Sequence, residues 1–127
     1  MAKKKAFETD KAAILGGPYS QAIIHNALIF VSGQGAIDPQ TNQVMLGTIE
    51  DEAELSMENI RIILEEAGSS LDKILQVTVY LLDMGEYNRF NEVYKRYFQG
   101  DFPARTCVQA ARLPFGIRVE INAIAYI

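Results

Sequence analysis

The sequence predicts a single α+β domain built on a mixed β-sheet, rather than a helical bundle or a β-sandwich. Three observations carry this. Strand-like alternation and helical periodicity take turns along the chain, which places helices among strands instead of segregating them. The 127 residues are 49% hydrophobic, enough for one core of ordinary size and too few for a second domain. No internal repeat is visible, so the domain spans residues 1–127 as one unit.

In chain order, Leu28 to Gln34 (LIFVSGQ) is a short apolar run that reads as a strand. The Asp38, Pro39 and Asn42 cluster then reads as a turn leading into Gln43 to Met45, which predicts an early hairpin. From Asp51 to Ala67, apolar residues at Ala53, Met57, Ile60, Ile63, Leu64 and Ala67 follow the spacing of an amphipathic helix. Glu50, Asp51, Glu52 and Glu54 favour its positive N-terminal end, and Gly68 is the expected stop. Leu75, Val77, Val79 and Leu81 alternate with Gln76, Thr78 and Tyr80 as a strand does. Glu86 to Gln99 predicts a second helix, whose aromatic face of Tyr87, Phe90, Tyr94, Tyr97 and Phe98 belongs to the core or to an oligomer contact. Ala104 to Ala110 and Arg118 to Ile127 read as the last two strands, separated by a turn at Leu113 to Gly116.

Composition narrows the function classes. Cys107 is the only cysteine, so no intramolecular disulfide forms, and no Cys/His cluster has metal-ligand spacing; a reducing, cytoplasmic setting is expected. The basic start MAKKK runs into Phe7, Glu8 and Asp10 instead of an apolar stretch, so it is read as a solvated tail and not a signal peptide. No membrane association is expected. A net charge of −4 gives no general attraction to nucleic acid, so a small anionic ligand needs a local positive site.

Arg105, Cys107 and Gln109 share one face of their strand. In the last strand Val119, Ile121, Ala123 and Ala125 form an apolar face, with Glu120 and Asn122 on the other side. If these two strands pair antiparallel through the intervening turn, Arg105 and Glu120 line one polar patch, which is the candidate site. Taken by itself such a pair more often serves the fold as an ion pair. Cys107 reads as a small packing residue, because the one histidine, His25, falls in an expected loop before the first strand and offers it no base. Gly16, Gly17 and Pro18 lack the spacing of a phosphate-binding loop and read as a turn.

Several of these residues lie in motifs that occur together in one order: GPYSQA (Gly17 to Ala22), FVSGQ (Phe30 to Gln34), VTVYLLDM (Val77 to Met84), NEVY (Asn91 to Tyr94), FPAR (Phe102 to Arg105) and VEINAIA (Val119 to Ala125). From about Ala13 to Tyr126 the chain resembles the Rid (reactive intermediate deaminase, YjgF-type) family, and its RidA branch in particular. The resemblance implies a chorismate-mutase-like fold, a mixed sheet of about six strands on two helices, assembled as a homotrimer with active sites in the clefts between subunits. It implies hydrolysis of 2-imino and enamine acids, such as 2-iminobutanoate, 2-iminopropanoate and 2-aminoacrylate, to 2-keto acids and ammonia without cofactor or metal. By the same resemblance Arg105 binds the substrate carboxylate and Glu120 positions and activates water. Tyr19, Ser32, Asn91 and Cys107 match the family's other site-lining positions, and Gly33 the adjoining backbone. Two positions depart from the pattern: Gly35 replaces the usual hydrophobic residue after SGQ, which enlarges or loosens the pocket, and Gln76 replaces a common lysine. The competing readings are a non-catalytic trimer that binds small carboxylates or acts as a chaperone, and an endoribonuclease or translation inhibitor. The acidic balance and the lack of a basic stripe weigh against RNA.

Overall fold

In the computed structural model, which describes residues 3–127, the alternating segments form one sheet of six strands. These are β1 (Lys5–Phe7), β2 (Ala22–His25), β3 (Leu28–Gln34), β4 (Ile74–Leu81), β5 (Ala104–Gln109) and β6 (Val119–Tyr126). The helices are α1 (Ile49–Glu66) and α2 (Tyr87–Tyr94). The strand order is β1-β2-β3-β6-β4-β5, antiparallel throughout except for β4 and β5, which run parallel. Parallel neighbours need a crossover, and α2 supplies it.

Both helices pack on the same face of the sheet, where Ile29, Val31, Val77, Val79, Leu81, Val119, Ile121, Ala123 and Ala125 meet Ile49, Met57, Ile60, Ile63, Leu64, Phe90 and Val93. The expected apolar face of β6 is thus the centre of the core. The opposite face, which carries Phe30, Tyr80, Val108, Glu120, Asn122 and Ile124, has no helix over it among the described residues. No helix among the described residues is long and apolar enough to cross a membrane.

α1 begins two residues earlier than the sequence suggested, because the Thr48 hydroxyl accepts from the Asp51 N–H at 3.2 Å and caps the first turn. It ends as expected at Gly68, whose φ of 88° is left-handed. The first turn also holds a buried acid. Glu52, only 1% exposed, accepts from the backbone N–H of Gly47 at 3.1 Å and of Arg118 at 2.7 Å. The Arg118 guanidinium in turn donates to the Gly47 carbonyl at 2.8 Å and to Glu86 at 3.3 Å, so the entry to β6 is tied to the starts of both helices.

Five expectations are corrected. The early hairpin joins β3 to the preceding β2, through a tight turn with Asn26 at φ 55°; Gln43 to Met45 adds only a bridge between Val44 and Ile37. His25 therefore ends a strand instead of lying in a loop, and Lys5 belongs to the edge strand β1, not to a solvated tail. Leu75 is exposed because a bulge between Ile74 and Gln76 shifts the register, and Ile74 takes the buried place. α2 stops at Tyr94 and tightens into a 3-10 turn over Lys95–Tyr97, while Phe90, Tyr94 and Phe98 still form one buried aromatic row. The expectations for Met1 and Ala2 lie outside the described residues.

Candidate active site

Arg105 stands on the edge strand β5, opposite Val77 of β4, on the helix side of the sheet. Its guanidinium lies 4.8 Å from the ring centre of Tyr94, 5.6 Å from Tyr87 and 5.8 Å from Phe90. Rings at positions i, i+3 and i+7 of α2 thus form a cradle that favours a cation and holds it in place. One nitrogen donates to the Tyr87 hydroxyl at 3.1 Å, and among the described residues no carboxylate pairs with the group. Asn91 lies on the same stripe of α2; its Oδ1 and the Tyr94 hydroxyl are buried with no hydrogen-bond partner among the described residues. Burial pushes the Tyr94 hydroxyl up to about 12, with Arg105 acting against the shift. Cys107, two residues along β5, is half-buried against the core, and burial raises its thiol too, which agrees with a packing residue and not a poised nucleophile.

Glu120 occupies a different place. It projects from β6 into a cavity of about 520 Å³ lined by Tyr19, Ser32, Gly33, Gly35, Ile117 and Phe115 among others. β3 bulges where it passes this strand: Val31 faces Ala123 and Gln34 faces Ile121, so Ser32 and Gly33 share one position. A Cβ on Gly33 would fall 2.5 Å from Glu120 Oε2, so only glycine lets the carboxylate lie over the bulge. Burial raises the Glu120 carboxyl above the usual carboxylate range, and no other cause contributes. The Ser32 hydroxyl donates to the Ser20 carbonyl at 2.6 Å, and its N–H to the Gln21 carbonyl at 3.0 Å, which fastens the Tyr19 segment to β3. Tyr19 then folds over Gly17, whose absent Cβ would meet the ring at 2.8 Å.

The sequence placed Arg105 and Glu120 on one patch through an antiparallel pairing of β5 with β6. The structure overturns that pairing. β4 lies between the two strands, and the registers Val77–Arg105 and Tyr80–Glu120 put the side chains on opposite faces of the sheet. Within one chain the candidate residues form two groups, Asn91, Arg105 and Cys107 on one side, and Tyr19, Ser32, Gly33 and Glu120 on the other.

A family model described as endoribonuclease L-PSP matches residues 10–127. The chain belongs to this family, the Rid proteins. It is 48% identical over 126 residues to a RutC family protein of Pyrococcus abyssi, covering 99% of this chain and 98% of the other. It is 43% identical over 122 residues to a 2-iminobutanoate/2-iminopropanoate deaminase of Mus musculus, covering 96% and 90%. The solved structure of TdcF of Escherichia coli with bound serine shares the fold at a TM-score of 0.91, with 39% identity over 97% of this chain and 98% of that one.

The Rid motifs GPYSQA, FVSGQ and VEINAIA meet at the cavity, while NEVY and FPAR meet at the arginine cradle. What sequence reasoning missed is the second role of Tyr87, Phe90 and Tyr94, whose spacing announced an apolar stripe but not the cation it holds. Phe115 was also missed. It was part of a turn signal, and only the structure shows it lining the cavity at φ 62°. The Gly35 departure has a physical answer: a Cβ there would fall 2.5 Å from Ile117 Cδ1, so this methyl fills the space that a side chain at 35 would take.

Proposed function

We propose that this Rid protein hydrolyses 2-imino acids to 2-keto acids and ammonia, in sites that two neighbouring copies of a homotrimer complete together. The observation that carries the reading is the Arg105 guanidinium, held on three aromatic rings with no carboxylate partner among the described residues. An arginine kept for structure alone would be expected to pair with an acid. This one keeps its fork for a planar anion, which a carboxylate matches through two parallel hydrogen bonds. The names of relatives support the substrate class, and serine bound to TdcF supports a small amino-acid-like carboxylate.

Because Arg105 and Glu120 point from opposite faces, one chain cannot clamp a three- or four-carbon acid between them. A neighbour's Asn91, Arg105 and Cys107 set against the cavity of Tyr19, Ser32, Gly33 and Glu120 would restore one site. The uncovered sheet face, with Phe30 and Val108 exposed, gives such copies an apolar surface to bury.

With the carboxylate on Arg105, the imine carbon is fixed near Glu120. Water adds to that carbon while Glu120 takes its proton, giving a carbinolamine. Glu120 returns that proton to nitrogen, then takes the carbinolamine's hydroxyl proton and passes it to the same nitrogen as the carbon–nitrogen bond breaks, leaving the ketone and ammonia. The balance is imino acid plus water to keto acid plus ammonia. A raised carboxyl suits a group that must accept and then donate near neutral pH. Positioning and proton transfer worth about 10²-fold or more suffice for an imine that already hydrolyses in water.

A ribonuclease reading, which the family description carries, is disfavoured by electrostatics. The net charge is −4, and Arg61, Arg89, Arg118, Lys11 and Lys95 are each committed to glutamates. The test is keto-acid release in the presence of an amino-acid oxidase that generates the imine. Arg105→Ala is expected to lose the acceleration with assembly unchanged by size-exclusion chromatography. Full activity in that variant would refute the assignment.

A further inference from the structure

We infer that Phe115, Ile117 and Gly35 form a subsite for the substrate's side chain, and that it selects imino acids with large apolar side chains over the alanine-derived one. The inference rests on the imine-hydrolase reading above and deepens it. The cavity beside Glu120 measures about 520 Å³. That is the size of a ligand pocket, about 300–1,000 Å³, before the neighbour's Asn91, Arg105 and Cys107 close one side of it. Past the acid, its wall is apolar, with Leu15, Ile37, Pro114, Phe115 and Ile117.

Phe115 is the least expected member of that wall. It adopts φ 62°, ψ 11°, a left-handed conformation unfavourable for a bulky residue, yet its ring is 60% exposed and gains little from the core. The turn that holds it is closed by Gly116 N–H to the Leu113 carbonyl at 3.3 Å and Ile117 N–H to the Pro114 carbonyl at 3.2 Å. A strained backbone that presents an apolar ring to a cavity without burying it is explained if a ligand covers the ring. Gly35 sets the shape of this wall. A Cβ there would lie 2.5 Å from the Ile117 δ-methyl, and both residues line the cavity, so any side chain at 35 must displace that methyl from its place in the wall.

The experiment measures kcat/KM for imines generated by an amino-acid oxidase from alanine, leucine and phenylalanine, with the spontaneous rate subtracted. Wild-type protein is expected to favour the leucine- and phenylalanine-derived imines. Phe115→Gly removes the ring and suits the left-handed backbone, so it folds, and it is expected to lower the ratio of large to small substrate by about tenfold or more. Gly35→Ala pushes the Ile117 methyl into the cavity and is expected to lower the same ratio. Both variants moving the ratio supports the subsite. Either variant leaving the ratio at its wild-type value, including a parallel loss on every substrate, overturns it. Wild-type protein that acts best on the alanine-derived imine overturns this inference alone, whereas wild-type protein that accelerates none of the three overturns the imine-hydrolase reading with it.

Discussion

Replacing Gly33 with alanine tests whether the bulge of β3 places Glu120, the proposed catalytic acid. The new Cβ would fall 2.5 Å from Glu120 Oε2 and 2.7 Å from Cδ, where ordinary contact begins at 3.4 Å. The carboxylate must therefore retreat by about 0.9 Å. Cγ, at 2.9 Å, must shift with it, but the crowded atoms all belong to one flexible side chain and none to the backbone, so it can move without unfolding anything. Stability should change by less than about 1 kcal/mol, since glycine to alanine at an ordinary φ lowers chain entropy by a comparable amount. Activity should suffer far more, because a displacement near 1 Å costs about 10²-fold when a group must meet a reacting atom. In the coupled keto-acid assay Gly33→Ala is expected to lower kcat with little change in KM, as Arg105 still holds the carboxylate. Glu120→Gln supplies the control: if Gly33→Ala acts by moving that acid, adding it to Glu120→Gln costs nothing further. An undiminished kcat, or a loss that multiplies that of Glu120→Gln, would refute the argument.

Three further expectations follow, the first two from charge. Glu120 must be ionised to accept a proton from water, and burial raises its carboxyl above the ordinary 4.5, so the acid limb of kcat/KM should lie above that value and vanish in Glu120→Gln. Burial disfavours its charged form, so the wild-type protein loses stability as pH rises through the raised value; Glu120→Gln should gain over wild type in urea above that pH and not below the ordinary one. Glu52→Leu strands the backbone N–H groups of Gly47 and Arg118, which should cost about 2–6 kcal/mol. Urea midpoints check this, and a loss under ~1 kcal/mol would show that water replaces the carboxylate there.

What the sequence disclosed depended on how local each cause was. α1 was readable because its apolar period and acidic first turn lie within its own residues and its terminal glycine just beyond them. The apolar alternation of β6 likewise announced a buried strand. Its neighbours did not appear, because a strand buried on one face is equally satisfied by either partner, and the turn at Leu113 to Gly116 suggested a hairpin to β5 that the β4–α2–β5 crossover forestalls. β2 escaped notice since its turn uses Asn26-Ala27 in place of an Asn-Gly pair. The candidate site residues were chosen through motifs, yet their division between two faces follows from strand order, which no motif encodes.

That division has a consequence for inheritance. If each reaction centre borrows its anion clamp from one polypeptide and its acid from the next, a chain faulty only in Arg105 and a chain faulty only in Glu120 can repair one another when they assemble together. A cell carrying those two damaged copies of the gene would regain part of an output that neither copy gives alone, a complementation that follows from a strand lying between two residues.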